Sequence, residues 1–111
     1  MDFEQAIQNI QKEYKINYAH KNSIMITTNQ MLNEYNYCFV SLINYHGKLI
    51  LTDLTNNMEH ITLSEEEVKQ ICAKHDITFD DYNIECEYTS NDDIKRYLEC
   101  LNEITEKMNT K

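Results

Sequence analysis

Asp53, Glu85 and Glu87 are the carboxylates whose placement could serve a reaction. An aspartate at a strand exit, joined by a Glu-x-Glu pair on a later strand, can hold a divalent ion through hard oxygen ligands. Nuclease sites of that kind also use a nearby lysine, whereas Glu85-Cys86-Glu87-Tyr88 offers a cysteine and a tyrosine. An acidic surface would further repel a phosphodiester. Asp53 then reads as a turn residue closing a strand, and the two glutamates as solvent-facing. Cys72 and His75 stand three apart on one helical face, the best available pairing of a thiol nucleophile with a base. Yet Cys72 belongs to an apolar stripe, and His75 falls at a helix end, where an imidazole suits the dipole. His20, His46 and His60 lie in separate segments without the i,i+4 spacing of a metal pair. The only glycine, Gly47, excludes a glycine-rich phosphate cradle. No catalytic residue, cofactor or metal is assigned, and the expectation is a protein that is not an enzyme.

The elements that position these residues follow from periodicity. Phe3, Ala6, Ile7, Ile10 and Tyr14 recur at helical spacing and predict a helix over 2–15 with Asp2 as N-cap. Residues 24–28 read as a first strand, β-branched at alternate positions. Residues 35–44 are apolar on both faces, with Tyr35, Tyr37, Phe39 and Ile43 on one and Cys38, Val40 and Leu42 on the other; such a strand is usually central. Asn44-Tyr45-His46-Gly47 supplies a hairpin turn, and residues 48–53 return. Ser64-Glu65-Glu66-Glu67 is a capping box opening a helix to about His75 that buries Val68, Ile71 and Cys72. Residues 83–88 alternate Ile84, Cys86 and Tyr88 inward with Glu85 and Glu87 outward. Ser90-Asn91-Asp92-Asp93 caps a last helix whose stripe is Ile94, Tyr97, Leu98, Leu101, Ile104 and Met108. Residues 1–111 therefore read as a single α+β domain of order α-β-β-β-α-β-α. Its sheet is expected to be mainly antiparallel, three- to four-stranded, with helices packed on it.

Charge narrows the partners. The formal net charge is −9, and residues 53–106 hold fifteen acids against four bases. Direct nucleic-acid or anionic-membrane binding is thereby disfavoured, since phosphate contacts need a basic face. An acidic face instead attracts a basic protein and speeds the encounter, although it can also serve solubility alone. No apolar run reaches the ~20 residues of a membrane span. Met1-Asp2-Phe3-Glu4 lacks the start of a signal peptide, so the expected location is cytoplasmic. Cys38, Cys72, Cys86 and Cys100 form no CxxC pair and read as small buried apolar residues, with a zinc site or a disulfide pair as alternatives. Of the eight tyrosines, Tyr14, Tyr97 and the Tyr35–Tyr37 face are assigned to the core. Tyr45 and Tyr82 are the candidates for exposure, with half-burial at the core's rim as the alternative.

The hairpin carries a resemblance. Ile26-Thr27-Thr28, then Gly47-Lys48-Leu49-Ile50-Leu51-Thr52-Asp53, the helix 65–75, Ile84-Glu85 and the helix 93–108 together resemble an uncharacterised family of small proteins from low-GC Gram-positive bacteria and their phages. That family has an "I-T-P"-like strand and a hairpin ending in "G-x-x-L-T-D-D-G"; here Asn29 follows Thr28, and Leu54-Thr55 follows Asp53. The resemblance implies this fold and a phage or mobile-element setting, and supplies no site residues. The functional expectation is an acidic phage-type inhibitor or adaptor that docks on a basic host protein, such as a nucleic-acid-binding nuclease, in an anti-CRISPR-like mode. Its expected contacts are Glu65, Glu66, Glu67, Asp80, Asp81, Tyr82, Glu85, Glu87, Asp92 and Asp93. The alternatives are an assembly protein that homodimerises through the hairpin edge or the C-terminal helix, and a metal-dependent nuclease-like enzyme.

Overall fold

Helices start where a side chain can satisfy the orphan amides of a first turn. The computed structural model describes residues 1–110, apart from the side chains of Tyr18 and Ala19. In it α1 (Phe3–Gln11) is capped by Asp2, α2 (Glu65–Lys74) by Ser64 and α3 (Asn91–Asn109) by Ser90. Each cap is reciprocal, with Gln5, Glu67 and Asp93 reaching back to the capping residue. The six strands among the described residues are β1 (Lys15–Ala19), β2 (Ser23–Thr27), β3 (Val40–Tyr45), β4 (Lys48–Thr52), β5 (Thr78–Asp80) and β6 (Asn83–Glu87). A 3-10 turn, Met58–His60, lies between β4 and α2.

All neighbouring strands pair antiparallel, in the order β1-β2-β3-β4-β6-β5. The class is α+β, as the sequence indicates, but the sheet has six strands and the order is α-β-β-β-β-α-β-β-α. Register sets the faces. Ile26 opposes Val40, Ile24 opposes Leu42, Leu42 opposes Leu51, and Leu51 opposes Cys86. These side chains share one core with Ala6, Ile10, Val68, Ile71, Ile94, Tyr97, Leu101 and Ile104 of the three helices. Each fully buried aliphatic side chain there contributes roughly 1.5–3 kcal/mol over exposure. The opposite face carries Met25, Ile43, Ile50, Glu85 and Glu87.

Three expectations are corrected. The first helix stops at Gln11 instead of Lys15, because Ile16 pairs with Ile26 and is drawn into the sheet as β1. The strand expected from Tyr35 begins only at Val40. Residues 28–39 form a loop pinned to α3, with Gln30 Nε2 donating to the Leu98 carbonyl at 2.7 Å and Thr105 Oγ1 to that of Leu32 at 3.0 Å. Tyr35 and Tyr37 stand at its tip, 86% and 62% exposed, outside the core assigned to them. Finally, the hairpin β3–β4 lies mid-sheet between β2 and β6, so it has no free edge through which to dimerise.

The exit from β4 is closed by buried polar groups. Asp53 is 0% and Asn57 1% exposed. The Asp53 carboxylate accepts backbone N–H bonds from Thr55 at 3.1 Å, Asn57 at 3.3 Å and Ile84 at 3.2 Å. Asn57 in turn accepts from the Phe39 amide at 2.8 Å and donates to the Phe39 carbonyl at 2.9 Å. Burial pushes the Asp53 carboxyl up to about 6, against the pull of those amides.

Both side chains of this closure can be tested through stability. Asn57→Ala strands both polar groups of Phe39 and lowers the unfolding free energy by about 3 kcal/mol in urea titration. For Asp53 the folded pKa lies above the unfolded value, so the fold favours the neutral acid. That contribution is complete below about pH 4 and is lost as pH rises through about 6. The stability of the wild type relative to Asp53→Asn should therefore grow by roughly 2–3 kcal/mol from pH 7 to pH 4, and a flat difference contradicts the assignment.

Candidate functional site

Glu65 and Glu66 occupy the first turn of α2, where acids are favoured by the helix dipole. Across from them β5 and β6 are joined by a two-residue turn, Asp81-Tyr82, with φ of 49° and 65°. Two consecutive left-handed residues define the type I′ geometry that matches strand twist. Asp80 and Asn83 pair as the last rung before it. Phe79 meets Tyr82 edge to face, with ring centroids 6.5 Å apart, so the turn holds Tyr82 against the sheet's edge. Together Glu65, Glu66, Lys69, Phe79, Asp80, Asp81 and Tyr82 line one open groove of about 350 Å³. None of its four carboxylates makes an ion pair among the described residues, and Lys69 is the one cation in the lining. Tyr82, half exposed, also borders a neighbouring hollow with Thr55, Met58 and Glu59.

The other expected contacts lie elsewhere. Glu67 completes the Ser64 cap and faces Lys107 at 3.7 Å. Glu85 and Glu87 stand on the sheet face away from the helices, opposite Thr52 and Ile50. Asp92 is exposed at the start of α3. Asp93 is built into that start: burial alone would raise its carboxyl, but bonds from Thr89, Arg96 and Ser90 more than offset this and hold it below the ordinary range. The structure thus brings together five of the ten expected residues, Glu65, Glu66, Asp80, Asp81 and Tyr82, and leaves the other five outside.

The two reactive combinations do not assemble. Asp53 is turned to backbone donors while Glu85 and Glu87 face outward. No three His, Cys, Asp or Glu side chains meet as metal ligands among the described residues. His75 Nε2 lies 2.9 Å from Glu103, and Cys72 lies against Cys100, with the sulfurs 3.8 Å apart. Glu103 also pairs with Lys74, and its hydrogen bonds with Lys74 and His75 hold its carboxyl below the usual range.

Sequence reasoning omitted Lys69 and Phe79 from the groove. Lys69 is legible in hindsight, standing four after Glu65 and three after Glu66 on one helical face. Tyr45, at 63% exposed, and Tyr82, at 50%, lie at the surface as the sequence indicates. No helix among the described residues is long and apolar enough to cross a membrane. Comparison with protein-family models, curated proteins and solved structures gives no match to this chain.

The two kinds of acid are separable by stability. Asp93→Ala removes a cap and an ion pair and should lower the unfolding free energy by roughly 1–2 kcal/mol. Glu66→Ala, at the open groove, should change it by less than about 0.5 kcal/mol in the same urea titration.

Proposed function

We propose that this chain is a non-enzymatic binding protein that docks its acidic groove onto a lysine- and arginine-rich surface of another protein. The observation that carries the reading is the convergence of Glu65, Glu66, Asp80 and Asp81 around one concavity beside a half-exposed tyrosine. Spaced carboxylates meet guanidinium and ammonium groups through charge-assisted hydrogen bonds, as phosphates do. The fitting target class is therefore the nucleic-acid-binding face of a protein such as a nuclease, which this groove would block or occupy. Single exposed ion pairs are weak, so the effect rests on their number and on long-range steering. Tyr82 adds rigid amphipathic area at small rotamer cost. The phage-type inhibitor setting indicated by the resemblance, anti-CRISPR-like in mode, agrees with this class of target. Against the nuclease-like alternative stands the full burial of Asp53, whose carboxylate is turned to backbone amides and away from Glu85 and Glu87 on the outer face.

A mixed lysine–arginine peptide, titrated by calorimetry over a salt series, is the test. Binding should weaken steeply with salt. Neutralising the groove with Glu65→Gln, Glu66→Gln, Asp80→Asn and Asp81→Asn should raise Kd about tenfold or more, a loss near ~1.4 kcal/mol, without lowering the melting temperature. Glu85→Gln with Glu87→Gln should leave Kd within about threefold. Equal losses from both variants, or none from the first, would sink the groove as the docking site.

A further inference from the structure

We propose that Cys72 and Cys100 join as an internal disulfide when the chain meets an oxidant, cross-linking α2 to α3. Both side chains are fully buried, and their sulfurs lie 3.8 Å apart. A disulfide brings the sulfurs to about 2.05 Å, so the bond forms by drawing together two thiols that already touch. The helices are clamped on both sides of the pair. Glu67 of α2 faces Lys107 of α3 at one end; at the other, Arg96 of α3 donates to the His75 and Asp76 carbonyls at 2.9 and 2.7 Å. The two helices therefore run antiparallel, with the thiols presented between fixed ends.

The chemistry balances with hydrogen peroxide as oxidant. One thiolate attacks a peroxide oxygen, giving a sulfenic acid and releasing water. The second sulfur then attacks the first, an S–S bond forms, and a second water leaves with the remaining proton. Two thiols are oxidised and one peroxide is reduced to two waters. With the core closed, the hydrogen bond with Cys72 and burial push the Cys100 thiol upward, so it stays unreactive. Reaction then waits on local opening of α2 and should quicken in urea below the unfolding transition. The product would fix the helix that begins with Glu65 and Glu66, whatever that helix binds.

The test is peroxide treatment of the reduced chain in mild urea, alkylation of remaining thiols, and peptide mapping by mass spectrometry. Two of the four thiols should be lost to a single Cys72–Cys100 bond. Closing so long a loop should raise the melting temperature by roughly 10 °C, reversibly with dithiothreitol. Cys100→Ser and Cys72→Ser should show neither change. The proposal falls if all four thiols survive, if Cys38 or Cys86 is the partner, or if the cross-linked chain melts lower. Mapping is read on the wild-type chain, so it decides the pairing even where a serine variant folds poorly.

Discussion

Asp53 sits where β4 stops pairing with β6, and its buried carboxylate continues the ladder that the backbone abandons. The regular pairing ends at Thr52 opposite Glu85. One step on, the chain turns away through Leu54 and Thr55, both left-handed at φ 50° and 67°, and the next amide of β6, that of Ile84, would be buried without a partner. Asp53 accepts it, and Tyr97 Oη donates to the Ile84 carbonyl at 2.7 Å, so both polar groups of this residue are held by side chains. The same carboxylate fixes Asn57, which holds Phe39 at the entry to β3. Three segments distant in sequence thus meet at one acid. Burying that acid is costly when it is charged, which is why its proton is retained to about pH 6.

The groove depends on this clamp. β6 carries β5 on its outer edge, and β5 packs beside α2, so the position of Asp80 and Asp81 relative to Glu65 and Glu66 is inherited from the placement of Ile84. From the other side α2 is fixed by α3. Lys74 and Lys107 pair across the two helices with Glu103 and Glu67, and Arg96 donates to the His75 and Asp76 carbonyls at the end of α2. Three of the few cations near the C-terminal half are therefore used in holding helices together. The surplus of acid is left at the β5–β6 turn, the α2 start and the outer sheet face.

What the sequence revealed divides along the range of the interactions. Asp2, Ser64 and Ser90 were legible as caps because a capping box is local, and the alternation of Ile84, Cys86 and Glu85, Glu87 was legible because strand period is local. β5 was not legible. Its turn uses Asp81-Tyr82 in a conformation normally signalled by Asn-Gly, and a three-residue strand has no periodicity to read. β1 was absorbed into α1 because Tyr14 continues the helical spacing for one turn past the last paired residue. Tyr35 and Tyr37 looked like strand because alternation says nothing about whether a neighbouring strand exists. Of the site, the acids were visible in composition, but their division into groove, cap and open face was set by pairing between segments far apart in the chain, as Asp53 with Ile84.

That division also separates acids that folding explains from those it does not. Glu65 and Glu66 follow from the helix dipole, Glu67 and Asp93 from capping, and Asp53 from the abandoned ladder. Asp81 and Tyr82 have no such account. Left-handed conformations cost non-glycine residues about 1–3 kcal/mol each, and a glycine at Tyr82 would relieve one of them. Tyr82 makes a contact with Phe79 worth about 1 kcal/mol, too little to offset that cost, and half of its surface remains in solvent. An aromatic ring and a carboxylate held in an unfavourable turn, facing two further acids across an open groove, are not accounted for by what they stabilise, and the proposed docking role would give them a reason.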